Sequence, residues 1–296
     1  MTRKVTVSVD KERAIGAISK NLFGSFLEHI GRAIYTGIYE PGHPLADEDG
    51  FRTDVLEMVK ELGVPIVRYP GGNFVSGYRW QDGIGPRENR PRRLELAWKS
   101  VESNQVGIDE FAIWAKKAGC DIMAAVNMGT AGPQDAADMV EYCNFEGGSY
   151  WSDLRKKNGG KDPYNIPVWC IGNEMDGDWQ MCHLTAKEYG AKAREAAKMM
   201  KWTDPSIQVA VVGSSAEYMP TFPEWDRTVL EHTYDVADYL SLHQYYKFVE
   251  GTDNVDDYLR SYVNLDSFIR SLRITADYVK TLKRSKKTMI FEKMET

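Results

Sequence analysis

The sequence predicts an α/β fold of the (β/α)8 TIM-barrel type that is incomplete, with about seven βα units. Two observations predict this fold. Short apolar runs of strand length recur along the chain, and amphipathic helical stretches separate most of them. The 296 residues, of which 43% are hydrophobic and 27% charged, are also enough for one sizeable core.

The apolar runs predict the strands in order. They lie at residues 22–27, 65–69, 121–126, 168–172, 207–213 and 239–243, and a last run starts at residue 288. Apolar residues at three- and four-residue spacing predict helices at 54–62, 108–118, 133–143, 185–200, 222–233 and 255–282. We expect Glu292 and Lys293 to interrupt the last strand.

Two segments stand apart from this alternation. Residues 4–9 alternate between apolar and polar like a half-exposed strand, so we divide the chain into a strand segment at 1–18 and a barrel domain at 19–296. Residues 71–107 form a long loop rich in Gly, Arg, Trp and Asp. Long loops in compact domains are usually functional.

Composition excludes several classes of function. The 37 basic and 43 acidic residues give a net charge of −6 without a long basic run, which argues against nucleic-acid binding. The sequence contains neither a signal-peptide core nor a run of roughly 18 apolar residues, so we expect a cytoplasmic protein that is not bound to a membrane. The cysteines are spread out and the histidines lack close partners, so we expect free thiols, no metal and no cofactor.

The segment 169–180, which reads WCIGNEMDGDWQ, carries the first candidate for catalysis. Residues 166–171 are apolar on both faces, as in a parallel strand covered on both sides, and Gly172 allows a turn before Asn173 and Glu174. A carboxyl group that follows a barrel strand is typical of catalysis. Tryptophan neighbours such as Trp179 would desolvate Glu174 and lift its pKa toward that of a general acid. The alternative is an ordinary strand end followed by an acidic turn.

Four motifs in this order resemble those of glycoside hydrolase family 51, the α-L-arabinofuranosidases. They are GSFLEH at 24–29, RYPGGNF at 68–74, Asn173 with Glu174, and SLHQYY at 241–246. The resemblance extends from about residue 5 to residue 288. It implies a TIM-barrel catalytic domain whose N-terminal strand joins a C-terminal β-sandwich absent from this sequence. It also implies a hexameric assembly.

The resemblance implies that Glu174 is the general acid/base and that a glutamate at the end of strand seven is the nucleophile. An ungapped match places Glu295 at the nucleophile position, and Glu292 is the other candidate. The sequence departs from the family pattern after about Ile290, which suggests a frameshift or a truncated gene. We therefore expect the polypeptide of 296 residues to have low stability and little activity.

Further residues are expected to bind the sugar or support the site. Glu28 ends the first strand and could hold two sugar hydroxyls, although a surface acid paired with Arg32 is the alternative. Arg68, inside an apolar strand, is expected to hold a catalytic carboxylate. The remaining candidates for sugar binding are Asn73, Asn173, His243, Tyr245, Phe26, Trp98 and Trp179.

Two of these predictions depend on strand geometry. His243 and Tyr245, two apart on strand six, are expected to face the same side and to bond the nucleophile and the sugar ring, or else to serve only the core. Asn127, at the end of the third strand, is expected to support the site from behind the residues that touch the sugar. Trp114, Trp151 and Trp202 are better explained by core packing or surface cover.

The sequence thus predicts a retaining exo-acting α-L-arabinofuranosidase that acts on arabinan, arabinoxylan and their oligosaccharides by double displacement. Two alternatives remain open. The polypeptide could be a catalytically dead, sugar-binding or unstable fragment of such an enzyme. It could also be a retaining β-glycan hydrolase of a related barrel family.

Overall fold

The computed structural model of the protein describes residues 4–251 and 254–293, and for 292 and 293 it describes only the backbone. Its main sheet contains seven parallel strands in the order β1-β2-β5-β6-β7-β8-β9, and β3 and β4 form a separate antiparallel pair. The strands are β1 Ser25–Phe26, β2 Ile66–Tyr69, β3 Arg93–Glu95, β4 Ser100–Glu102, β5 Asp121–Val126, β6 Val168–Ile171, β7 Gln208–Val211, β8 Tyr239–Leu242 and β9 Ile290–Lys293. The seven predicted barrel strands are confirmed.

Helices connect the strands of the main sheet. They are α1 Thr53–Leu62, α2 Ile108–Ala118, α3 Pro133–Asn144, α4 Tyr150–Lys157, α5 Ala186–Thr203, α6 Glu224–Thr233, α7 Val255–Arg260 and α8 Tyr262–Leu282. The sequence did not predict α4. No helix within the described residues is long and apolar enough to cross a membrane.

Three predicted elements differ from the structure. The helix expected at 255–282 is divided at Ser261, whose hydroxyl donates to the Tyr258 carbonyl oxygen over 2.6 Å, a side-chain bond that competes with regular helix geometry. Lys293 and its neighbour Glu292 continue β9 and pair with β8. Residues 4–10 form no strand, and Val5 is 81% exposed, because no edge within the described residues pairs with this segment.

Side chains alternate along the strands between two apolar clusters. One cluster contains Ile66, Met123, Ala125, Val168, Cys170 and Ala210. The other contains Val67, Ala124, Val126, Trp169, Val209 and Val211, together with residues of the surrounding helices. Because successive strand residues point to opposite faces, Arg68 shares the face of Ile66 in the first cluster. The sheet therefore directs a buried cation inward near the carboxyl ends of its strands.

Candidate active site

Polar side chains gather where the parallel strands end. Glu28 follows β1, Arg68 lies near the end of β2, Asn173 and Glu174 follow β6, and His243 follows β8. The carboxyl ends of parallel strands meet at one edge of a sheet, where barrel enzymes place their active sites. All five side chains belong to buried residues.

The backbone at Glu174 adopts an unusual conformation. Gly172 has φ of 95°, and Glu174 has φ of 45°, in the left-handed region that residues with a side chain rarely adopt. Such strain costs on the order of 1–3 kcal/mol and persists only where the surroundings impose it. The turn after β6 therefore sets the direction of the Glu174 carboxyl group.

Both oxygens of the Glu174 carboxyl group have protein partners. Trp179 donates its indole N–H to Oε2 over 2.7 Å, and the Nδ1 atom of His243 lies 2.9 Å from Oε1. Glu174 is only 7% exposed. The adjacent residue Met175 is fully buried, so the carboxyl group is largely shielded from water. An acid in an ordinary surface turn would be exposed to water, whereas the Glu174 carboxyl group is buried and has a side-chain partner on each oxygen.

The prediction that His243 and Tyr245 share a strand face is wrong. Strand β8 ends at Leu242, so strand alternation does not extend to either residue. His243 is buried against Glu174, whereas Tyr245 is 52% exposed. The predicted contact of His243 with Glu295 lies outside the described residues.

A chain of amide contacts connects β2 to the loop after β6. Arg68 donates from Nη2 to the Oδ1 atom of Asn173 over 2.8 Å, and its guanidinium carbon lies 5.2 Å from the ring centroid of Phe26. Asn173 in turn donates to Oδ1 of Asn73 over 3.1 Å, and Gln180 donates to the same oxygen. Among the described contacts, this hydrogen bond of Arg68 goes to an amide oxygen. The predicted contact of Arg68 with a catalytic carboxylate remains a prediction, because the side chains of Glu292 and Glu295 lie outside the described part of the chain. Arg68 fixes the residue that immediately precedes Glu174.

Glu28 is buried, so the alternative of a surface acid paired with Arg32 is wrong. Its Oε1 atom accepts the backbone N–H of Phe74 and the indole N–H of Trp98, each over 2.9 Å. The guanidinium of Arg32 instead donates to Thr36 in an exposed contact. Glycine is required at position 71, because an added Cβ would lie 2.2 Å from Cγ of Glu28.

Trp98 reaches Glu28 from a β-hairpin that the sequence did not reveal. Strands β3 and β4 lie within the long loop at 71–107, and Trp98 occupies their turn. The Glu95 carboxylate closes this turn by accepting the backbone N–H groups of Ala97 and Trp98, each over 2.6 Å. The short strands of this hairpin lack a clear apolar alternation, which explains why periodicity missed it.

Asn127 supports the loop that follows β5. Its Oδ1 atom accepts the backbone N–H groups of Gly129 and Ala131, and its Nδ2 atom donates to the Tyr78 carbonyl oxygen over 2.8 Å.

Gln180 is a residue of the site that the sequence analysis did not identify. Its position at the end of the segment 169–180 was the available signal.

Two further buried carboxyl groups hold the loop after β7. Ser215 donates its backbone N–H to Asp176 over 2.9 Å, and Ser214 donates its backbone N–H to Asp226 over 2.8 Å. Burial raises the pKa of Asp176 above its ordinary value, and it raises the pKa of Asp226 to about 7. Asp176 stands two residues after Glu174, so these contacts tie the loop that carries Glu174 to the next strand.

The nucleophile candidates are not placed at the side-chain level. Glu295 lies outside the described residues, and Glu292 is described only by its backbone in β9. Strand β9 pairs in parallel with β8, the strand that precedes His243.

Three tryptophans that the sequence assigns to core packing or surface cover lie in such positions. Trp114 is fully buried, Trp151 packs on Trp80, and Trp202 is exposed on α5.

Comparisons with known proteins find similarity to α-L-arabinofuranosidases. The family model described as Alpha-L-arabinofuranosidase 1 domain matches residues 58–262. The intracellular exo-α-(1→5)-L-arabinofuranosidase 1 of Bacillus subtilis is 57% identical over 97% of this chain and 57% of its own length. The exo-α-(1→6)-L-arabinofuranosidase of Bifidobacterium longum is 50% identical over 94% of this chain and 54% of its own length. The chain thus spans little more than half the length of these curated relatives.

Solved structures agree with the sequence comparisons. A family 51 α-L-arabinofuranosidase from Bifidobacterium longum superposes with a TM-score of 0.91 and 49% identity, covering 93% of this chain and 56% of the other. The α-L-arabinofuranosidase from Thermotoga maritima in its arabinose complex gives a TM-score of 0.81 and 44% identity, covering 88% of this chain and 52% of the other.

Proposed function

This chain belongs to the α-L-arabinofuranosidases of glycoside hydrolase family 51, and we propose that it removes terminal non-reducing α-L-arabinofuranose units from arabinan, arabinoxylan and their oligosaccharides. The observation that carries the proposal is the strained Glu174, held between Trp179 and His243. The relatives from Bacillus subtilis, Acetivibrio thermocellus and Bifidobacterium longum are exo-α-L-arabinofuranosidases, and the first two are intracellular, which supports the proposal. An intracellular location and a hexameric assembly remain predictions.

Glu174 is proposed as the general acid and base. In the first step, a carboxylate of the enzyme attacks the anomeric carbon while the glycosidic C–O bond breaks and Glu174 gives its proton to the departing oxygen. In the second step, Glu174 takes a proton from water as that water displaces the enzyme carboxylate. Two inversions then give net retention at the anomeric carbon.

The partners of Glu174 suit both of its protonation states. The indole N–H of Trp179 can only donate, so it always stabilises an acceptor lone pair on Oε2. Nδ1 of His243 can donate to Oε1 of the ionised carboxylate, and it can also donate to Oε1 of the acid when the acid carries its proton on Oε2, where that proton is free for the departing oxygen. The same geometry therefore serves the acid in the first step and the base in the second.

The sugar is proposed to bind next to Glu174, with its hydroxyl groups on Glu28, Asn73 and Asn173. These side chains offer carboxylate and amide groups at the ends of three different strands, which suits a small polyhydroxylated ring. Phe26, Trp98, Trp179 and Tyr245 are proposed as walls of the pocket. Glu295, or Glu292, is proposed as the nucleophile, since retaining enzymes need a second carboxyl group about 5 Å from the acid.

The proposal can be tested with purified protein of the 296-residue sequence. We expect low but measurable hydrolysis of 4-nitrophenyl α-L-arabinofuranoside, in line with the little activity expected of this polypeptide, and no hydrolysis of the β-D-glucopyranoside or β-D-xylopyranoside. Proton NMR of the first product should show the anomeric configuration of the substrate, and Glu174→Gln should abolish most of the turnover. Preference for a β-glycoside, or inversion at the anomeric carbon, would overturn the proposal.

A folded protein that binds arabinofuranosyl ligands in calorimetry but does not turn them over would instead favour the sugar-binding alternative. A mechanism-based arabinofuranosyl inactivator, followed by peptide mass analysis, tests the nucleophile. Labelling of Glu295 or Glu292 supports the assignment, and labelling of any other residue refutes it.

A further inference from the structure

A buried network lies directly behind Glu28. The next residue, His29, places Nδ1 2.9 Å from Oε2 of Glu102 on β4 and Nε2 2.9 Å from the Tyr69 hydroxyl on β2. Its ring stacks on Phe74 with centroids 4.5 Å apart and an interplanar angle of 11°. Phe74 is the residue whose backbone N–H binds Glu28. His29 thus touches two of the elements that surround the Glu28 carboxylate.

Glu102 connects this network to the hairpin. Its Oε1 atom accepts the hydroxyl of Tyr35 and, over 2.6 Å, the backbone N–H of Asn104. Burial alone would raise the pKa of Glu102, but the contacts with His29, Tyr35 and Asn104 hold that pKa below its ordinary value. The carboxylate is therefore an ionised group with a partner on each oxygen, in a site that is 6% exposed.

The hairpin has few other attachments. It is a two-stranded unit separate from the main sheet, and its residues Leu94 and Val101 are exposed. An isolated hairpin is marginally stable in water at best. Arg93 of β3 forms an ion pair with Asp82 over 2.8 Å, but the arginine side chain is 49% exposed, and exposed ion pairs contribute little. The buried carboxylate of Glu102 is the stronger anchor.

We propose that Glu102, acting through His29, is a positioning residue that fixes the β3–β4 hairpin so that Trp98 keeps its indole N–H on Glu28. The inference rests on the proposed function insofar as Glu28 and Trp98 bind the sugar. Through His29, the Glu102 carboxylate then helps to hold three groups around Glu28 in place. They are the turn after β1, the Phe74 backbone and the indole of Trp98. The hairpin would otherwise open at this edge of the pocket.

Glu102→Gln tests the proposal, and Arg93→Gln on the same hairpin is the matched control. The first readout is amide hydrogen exchange of residues 93–104, which does not need activity. We expect Glu102→Gln to speed hairpin exchange by about 10-fold or more, while exchange in β5, β6 and β7 stays as in the parent. Arg93→Gln should change hairpin exchange by no more than about 2-fold.

The second readout is the affinity for a five-membered iminosugar of arabinose configuration, measured by calorimetry. Glu102→Gln should weaken binding by about 10-fold, whereas the same substitution in a Trp98→Phe background should cost almost nothing further. Residues that act through one another are non-additive in this way. A purely structural role for Glu102 would give equal losses in both backgrounds and would overturn the proposal.

Tyr35→Phe provides a milder variant if Glu102→Gln does not fold, because it removes only one of the contacts to the carboxylate. It should raise hairpin exchange in the same direction, and exchange equal to that of the parent would contradict the proposal. Failure of the parent to bind the iminosugar would count against the proposed function. The hairpin exchange would still decide the role of Glu102.

Discussion

His243 and Glu174 are 69 residues apart in the sequence, and Nδ1 of the histidine lies 2.9 Å from Oε1 of the glutamate. The two residues follow different strands, β8 and β6, and meet because parallel strands deliver their carboxyl ends to one edge. The contact joins an imidazole nitrogen to a buried carboxyl group. It gives the proposed acid/base a partner that can donate a hydrogen bond to Oε1 in either protonation state of the carboxyl group.

The indole of Trp179 provides a direct test of how the Glu174 carboxyl group is held. Trp179→Phe removes the 2.7 Å hydrogen bond to Oε2 and keeps an aromatic ring. Hydrogen bonds to charged groups contribute about 1.5–3 kcal/mol, so we expect kcat/KM to fall by roughly 10- to 100-fold. The control Trp202→Phe, on the exposed surface of α5, should leave kcat/KM unchanged. Equal effects of the two substitutions would show that the hydrogen bond is unimportant.

Arg68 is expected to require its planar guanidinium. Arg68→Lys keeps the charge but cannot reproduce both the 2.8 Å contact with Asn173 and the stacking on Phe26. We expect kcat/KM to fall by about 10-fold or more, with a smaller change in melting temperature. A lysine variant as active as the parent would show that Arg68 does not order Asn173 for catalysis.

Gly71 tests the close approach of the backbone to Glu28. Gly71→Ala places a Cβ 2.2 Å from Cγ of Glu28, at a φ of 133° that alanine rarely adopts. We expect a loss of about 1–3 kcal/mol in the free energy of unfolding, together with weaker binding of arabinofuranosyl ligands. The control Gly16→Ala meets no atom within 4 Å and should behave like the parent. Unchanged stability and affinity in Gly71→Ala would mean that Glu28 can move without consequence.

Asp226 is expected to make stability depend on pH. Burial raises its pKa in the folded state to about 7 from an ordinary value of 3.8, and the nearby charge of Asp176 adds to this effect. Between these values the folded state keeps a proton that the unfolded state loses, so the free energy of unfolding falls as pH rises toward 7. The effect is on the order of 1.4 kcal/mol per pKa unit.

Asp226→Asn should remove this contribution. The melting temperature of the variant relative to the parent should therefore rise between pH 4 and pH 7.5. Asp10→Asn, in the exposed N-terminal segment, should follow the parent at every pH. Parallel curves for Asp226→Asn and the parent would exclude a raised pKa at this position.

The strands and most helices were predictable from the sequence because apolar periodicity reports directly on burial. Charged residues at or near the ends of apolar strands were recognisable for a related reason, namely Glu174, Glu28 and Arg68. Burying a charge is costly, so such a residue is expected to have a polar partner or a function. The β3–β4 hairpin was not predictable from apolar periodicity, because polar contacts stabilise its short strands. Glu102 binds His29, which is distant in the sequence, and Glu95 accepts backbone N–H groups of the turn. The hydrogen-bond partners of His243 and Arg68 could not be predicted from the sequence either, because they depend on which loops meet above the sheet.

The division of the helix at Ser261 and the missing strand at 4–10 have physical causes that a local pattern does not contain. A side-chain hydrogen bond to the backbone ends α7, although the apolar spacing continues into α8. An alternating pattern becomes a strand only when another edge supplies its hydrogen bonds, and residues 4–10 have none among the residues described.

The most direct test of the account is the leaving-group dependence of Glu174→Gln. Kinetics of the glycosylation step should be measured with a series of α-L-arabinofuranosides, from dinitrophenyl to simple alkyl leaving groups. If Glu174 is the general acid, the loss should be about 100- to 10,000-fold for alkyl leaving groups and slight for dinitrophenyl, which departs without a proton. Equal losses across the whole series would contradict the assignment of Glu174 as the acid.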